Sequence, residues 1–129
     1  MTTSDNKIKQ ITAIVTDDDI DTVDVFCESL ELYQFRIVGK AYNGETVAEL
    51  YSTLKPDVVF LDVMMPNYDG IYALEQIRKI DPDAVVVMVT ADHRNETAEK
   101  LERLKPSAVI YKPFDMKNIR NIVENIVGS

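Results

Sequence analysis

Asp57-Val58-Val59-Phe60-Leu61-Asp62-Val63-Met64-Met65-Pro66 sets one aspartate, Asp62, within an apolar run, with Val58 to Leu61 before it and Val63 after it. A short Val-rich run without alternation reads as a strand covered on both faces, as in a parallel sheet. Pro66, Asn67, Asp69 and Gly70 follow as turn-formers, so Asp62 falls where the strand gives way to a loop. A carboxylate at that position is costly to desolvate without a partner. It is also at the sheet edge where ligands of open α/β proteins bind. Taken alone, the stretch leaves two readings open: a loop-capping aspartate or a functional one.

Upstream, Ile11–Thr16 is a strand candidate that ends in Asp17, Asp18 and Asp19. Ile20, Val23, Cys27 and Leu30 then give one apolar helical face, which Asp19 can cap, while capping cannot account for all three acids. Phe35–Ala41 is a second strand, broken by Asn43 and Gly44, before a helical stripe of Val47, Leu50, Tyr51 and Leu54 that Pro56 stops. Downstream, Ile71, Leu74, Ile77 and Ile80 mark a third helix, and Ala84–Val89 a fourth strand finishing on Thr90-Ala91. About Arg94 to Leu104 the pattern predicts a fourth helix with only Ala98, Leu101 and Leu104 as apolar positions. Ser107–Tyr111 is a fifth strand, followed by Lys112-Pro113-Phe114. Ile119, Ile122, Val123, Ile126 and Val127 give the last helix a clean apolar stripe. Strands alternating with helices over short connections predict an α/β fold, a mostly parallel sheet with helices on both faces.

The totals agree with one such domain: 129 residues, 46% hydrophobic and 28% charged. A formal net charge of −8 argues against nucleic acid as a direct partner. No apolar run approaches a membrane span, and the N-terminus lacks the layout of a signal peptide. One cysteine, Cys27, forms no internal disulfide or zinc site and reads as a small core residue, so the expected home is the cytoplasm. The expected organisation is a flexible tail over 1–10 and a folded domain over 11–128.

Four strands out of five end in chemically pointed groups: Asp17 and Asp18, Asp62, Thr90, and Lys112. A parallel sheet brings all of these to one edge. Three clustered carboxylates repel one another unless a cation relieves them, and a hard divalent ion that keeps water, magnesium, suits oxygen ligands. Lys112 adds a mobile charge suited to phosphate, and Thr90 a hydroxyl. Together these predict a phosphoryl-transfer site with an aspartate nucleophile, and the lack of a glycine-rich phosphate loop argues against a bound nucleotide.

With these motifs in place, from about Ile11 to Val127, the chain resembles the response-regulator receiver family of the CheY type. The resemblance implies a three-layer (βα)5 sandwich of flavodoxin-like type with strand order 2-1-3-4-5. It implies that Asp62 accepts a phosphoryl group from a histidine kinase or phosphotransfer protein, with Mg2+ as cofactor. Asp18 and Asp62 would hold the ion directly, Asp17 largely through water, and the Met64 main-chain carbonyl would complete the set. Thr90 and the Ala91 amide would bond phosphoryl oxygens, Lys112 would pair with them, and the Lys112–Pro113 bond would be cis. Pro66 and Gly70 would shape the loop beyond the acceptor.

Met64 and Asp92 would tune the acyl phosphate's lifetime, although Asp92 reads equally as an N-cap of the fourth helix. His93, the one histidine, reads as a solvated residue rather than a phosphodonor.

Signalling in cytoplasmic two-component or chemotaxis pathways would pass through a protein target on the fourth helix, fifth strand and fifth helix. The protein would catalyse only its own phosphorylation and dephosphorylation. The sequence departs from the family at the switch, where Val109 stands for the usual Tyr or Phe, Ala108 for a common glycine, and an aromatic occurs instead at Tyr111. Two rivals stand beside this reading. One is a haloacid-dehalogenase-like, magnesium-dependent hydrolase, which would need a second aspartate where Met64 stands. The other is a constitutive interaction module that merely keeps the fold.

Overall fold

Each apolar run of the sequence becomes a strand parallel to its neighbours in a computed structural model that describes residues 10–63, 65 and 70–128. In chain order the elements are β1 (Ile11–Thr16), α1 (Ile20–Leu32), β2 (Phe35–Ala41), α2 (Gly44–Leu54) and β3 (Val58–Asp62). They continue with α3 (Gly70–Ile80), β4 (Val86–Thr90), α4 (Asn95–Leu104), β5 (Ala108–Tyr111) and α5 (Met116–Val127). The sheet runs β2-β1-β3-β4-β5, which matches the order the resemblance implied. The expected tail, apart from Gln10, and the residues Met64, Pro66 and Asp69 lie outside the described residues.

β3 shows why its run does not alternate. Val58 and Phe60 join the core beneath α1 and α5, Val59 and Leu61 join the core beneath α2, α3 and α4, and none of the four is more than 1% exposed. A strand buried on both faces must be apolar at every position. Its entry is fixed by Asp57, whose Oδ2 accepts the Thr12 amide at 2.9 Å and the Thr12 hydroxyl at 3.1 Å, while its own amide donates back to Thr12 Oγ1 at 2.8 Å.

Caps decide several boundaries. Asp19 caps α1 as expected, accepting from the Thr22 amide. Asn43, read as a break, is the N-cap of α2 and accepts the Thr46 amide at 2.8 Å; Gly44 is that helix's first residue. Asp115 caps α5 through the Lys117 amide at 2.9 Å.

The expected helical stripes are too long at their ends. Ile20, Leu54 and Ile80 keep the apolar spacing but are 59%, 40% and 46% exposed, because a helix end overhangs the sheet it packs on. Ala98 of α4 is likewise exposed. The fourth strand starts at Val86 rather than Ala84, and the fifth at Ala108 rather than Ser107. The Arg78 guanidinium donates to the Ala84 carbonyl at 3.1 Å and to the Ser107 hydroxyl at 3.3 Å, and the Ser107 amide donates to the Val86 carbonyl at 2.8 Å, so a side chain and isolated backbone bonds together hold the two flanks.

Candidate functional site

The C-terminal edges of β1, β3, β4 and β5 meet at one end of the sheet, and their loops carry the polar groups. Asp17, Asp18 and Asp62 each offer one carboxylate oxygen within 4.8 Å of the others. They differ in setting: Asp17 is buried, Asp62 half-buried and Asp18 exposed. Asp17 Oδ1 accepts the Asp19 amide at 3.0 Å, and its Oδ2 lies 3.9 Å from Lys112 Nζ. Burial pushes the Asp17 carboxyl above its ordinary value and Asp18 adds to that push, while the Asp19 amide and the Lys112 ammonium oppose it. Three close carboxylates, one disfavouring its charged form, are a donor set that a hard divalent cation relieves, and magnesium fits.

The other wall mixes both signs of charge with a hydroxyl. Asp62, Thr90, Ala91, Asp92, Arg94 and Lys112 line one cavity of about 410 Å³. Thr90 is 1% exposed, and its hydroxyl oxygen accepts the Asp92 amide at 2.9 Å. Lys112 is positioned by its own amide, which donates to the Thr90 carbonyl at 2.8 Å, and its bond to Pro113 is cis. The predicted strand-end residues are therefore brought together, with Ala91 at their rim. Met64 lies outside the described residues.

Close approach sets one further requirement. The Gly70 amide donates to the Val63 carbonyl at 2.9 Å, and a Cβ at Gly70 would stand 2.1 Å from the Asp62 carbonyl oxygen. Only glycine fits there.

Two expectations change. Asp92 is not the N-cap of α4; that position is Arg94, whose side chain makes no cap bond. Asp92 sits two residues before that cap and accepts from the Arg94 amide, the Arg94 guanidinium and the Thr97 hydroxyl. His93 is exposed as expected, yet it is more than solvated, since its ring stacks on Tyr111 with centroids 5.0 Å apart and planes at 25°. Val109 packs half-buried against the core of α2, α3 and α4. Arg94 is the cavity residue that strand-end reasoning missed. The signal for it was a cation two residues after an acid just before a predicted helix.

A profile for the response regulator receiver domain matches residues 13–124. Protein CcdB of Bacillus subtilis is 37% identical over 101 residues, covering 78% of this chain and 84% of that protein. Chemotaxis protein CheY of Thermotoga maritima is 37% identical over 87 residues, covering 66% of this chain and 71% of that one. A chain in the structure of the CheX-CheY-BeF3-Mg2+ complex from Borrelia burgdorferi superposes with a TM-score of 0.84 at 26% identity, over 98% of this chain and 95% of that one. These matches favour neither the hydrolase nor the constitutive module. The chain belongs to the response regulator receiver domain family, the signal-receiving unit of two-component and chemotaxis pathways.

Proposed function

We propose that Asp62 is the phospho-acceptor, taking a phosphoryl group from a histidine kinase or phosphotransfer protein. Receiver domains bind Mg2+ at an acidic pocket, and Asp17, Asp18 and Asp62 are the residues that would hold it here. The ion, when bound, supplies positive charge to the phosphoryl oxygens. The observation that carries the reading is the meeting of that carboxylate set with Thr90 and Lys112 at one strand edge. An Asp62 oxygen attacks phosphorus, the bond from phosphorus to the donor nitrogen breaks, and the donor leaves. Lys112 pairs with the transferred group. Thr90 and the Ala91 amide donate to its oxygens. The Met64 carbonyl belongs to the same proposal, as does a tuning role for Met64 and Asp92.

Receiver domains partner with kinases and with downstream effectors, and are signalling units rather than enzymes. For this chain the output face is the surface of α4, β5 and α5, supported by the thin anchoring of α4, which buries Thr97 and Leu101. With Val109 in the switch position, the change on phosphorylation is confined to the Thr90–Arg94 loop and the start of α4, and Tyr111 stays at the site edge on His93. None of the described helices is long and apolar enough to cross a membrane, and a cytoplasmic site of action is part of the proposal.

Intact-mass measurement tests the acceptor. An acyl-phosphate donor with Mg2+ adds one phosphoryl group to the wild type and none to Asp62→Asn. Labelling of that variant at full stoichiometry would move the acceptor elsewhere.

A further inference from the structure

Arg94 faces the same cavity as Asp62, Thr90 and Lys112, and what its side chain does there is to grip Asp92. Its Nε lies 2.9 Å from Asp92 Oδ1 and 3.1 Å from Oδ2, and its Nη2 lies 2.8 Å from Oδ2. The Arg94 amide adds a bond to Oδ1 at 3.0 Å, and the Thr97 hydroxyl one to Oδ2 at 2.6 Å. A carboxylate has about four lone-pair sites, and these donors engage both of its oxygens. The Asp92 side chain is 12% exposed and that of Arg94 66%, so the acid is the inner wall and the guanidinium its outer cover. The Arg94 side chain first, then the Thr97 hydroxyl, hold the Asp92 carboxyl well below the usual carboxylate range.

The geometry points to Arg94 as a positioning residue that silences Asp92 and so lengthens the life of the acyl phosphate on Asp62. The inference rests on Asp62 being the acceptor. Hydrolysis needs a water oxygen to attack phosphorus in line with the bond to Asp62. The phosphorus–oxygen bond breaks, Asp62 departs as a carboxylate, inorganic phosphate forms, and the water's proton must go to a base. A carboxylate in the cavity wall with an open lone pair orients that water and takes its proton. The forked guanidinium fills those lone pairs, and it cancels a charge that would otherwise repel an incoming anionic donor. Lysine neutralises charge but has no fork, so it fills fewer of the sites.

The test compares wild type, Arg94→Ala, Arg94→Lys and the double variant Arg94→Ala/Asp92→Ala. Each is phosphorylated with an acyl phosphate and Mg2+, freed of donor, and followed by intact mass as the adduct is lost. Arg94→Ala is expected to lose it roughly tenfold faster, below what a well-placed general base supplies. Arg94→Lys should fall between, and the double variant should return to near the wild-type rate. Melting temperature and Mg2+ affinity should not change in Arg94→Ala, which separates the effect from a merely structural one. A wild-type rate in Arg94→Ala overturns the inference, and so does a double variant as fast as the single one. If the wild type takes up no phosphoryl group, the acceptor reading itself fails and this inference with it.

Discussion

α3 and α4 lie on the same face of the sheet, yet they are held to it very differently. α3 buries Gly70, Ala73, Leu74 and Ile77, and Arg78 in its last turn fastens it to Ala84, Lys105 and Ser107. At its end Asp81 accepts the Tyr51 hydroxyl from α2 at 2.8 Å. α4 buries Thr97 and Leu101, has no side-chain cap bond, and is otherwise mostly charged. The strands beneath are apolar in both places, so the difference belongs to the helices. α4 is the more thinly anchored of the two, and it follows directly on the Thr90 loop.

The largest test of that contrast is truncation. Leu74 is 1% and Leu101 3% exposed. Leu74→Ala, in the denser surroundings, should cost about 3–4 kcal/mol in denaturant unfolding and Leu101→Ala about 2 kcal/mol. Equal costs would erase the distinction. Native-state hydrogen exchange should agree, with α4 amides opening before those of α3.

A second test loosens α3 by pH. Burial first, then the bond to Asp81, pushes the Tyr51 phenol up to about 12 from its ordinary 10.0. The native state therefore favours the neutral phenol, and its contribution is complete below about pH 10 and lost as pH rises toward about 12. Cys27, pushed up by burial to about 11, titrates in an overlapping window, so the informative quantity is the difference between variants. Tyr51→Phe should cost about 1 kcal/mol at neutral pH and show a flatter alkaline loss of stability than the wild type. Parallel slopes would remove Tyr51 from the anchoring of α3.

Smaller effects probe the site that the two helices flank. Asp18→Asn removes mutual repulsion among three carboxylates, so the metal-free protein should gain a fraction of a kcal/mol while the Mg2+ needed to raise its melting temperature increases. Loss of stability with unchanged Mg2+ affinity would contradict a shared site. The smallest effect is expected at Val109, whose methyl signals should barely move when beryllofluoride is added, while amides of Thr90–Arg94 and the start of α4 shift. A new Val109 rotamer, spreading to Ile119 and Ile122, would carry the change past α4 into α5.

The fold was legible wherever burial on both faces forced an unbroken apolar run, as in β3, and wherever a short polar residue preceded a helix, as at Asp19. The convergence of Asp17, Asp62, Thr90 and Lys112 was legible because parallel strands send their ends to one edge. Ile20, Leu54 and Ile80 misled, since periodicity reports a face but not how far the partner surface extends. The grip of Arg94 on Asp92 and the stacking of His93 on Tyr111 were hidden for another reason. Both are contacts made from a loop, where no repeating interval ties one residue to another.

Gly70 gives the site a mechanical asymmetry. With the first residue of α3 pressed against the Asp62 carbonyl and bonded to the Val63 carbonyl, the Asp62 backbone has a hard stop on that side. A pull on the Asp62 carboxylate cannot be relieved by sliding the strand toward α3. It is relieved where the mounting is softer, in the Thr90–Arg94 loop, where past the Thr90 carbonyl's bond from the Lys112 amide the ties run through side chains. In the proposed phosphorylation, Asp62 is the anvil and the loop the spring. Even a methyl group at position 70 would be a wedge driven between them, displacing the anvil before any signal arrives.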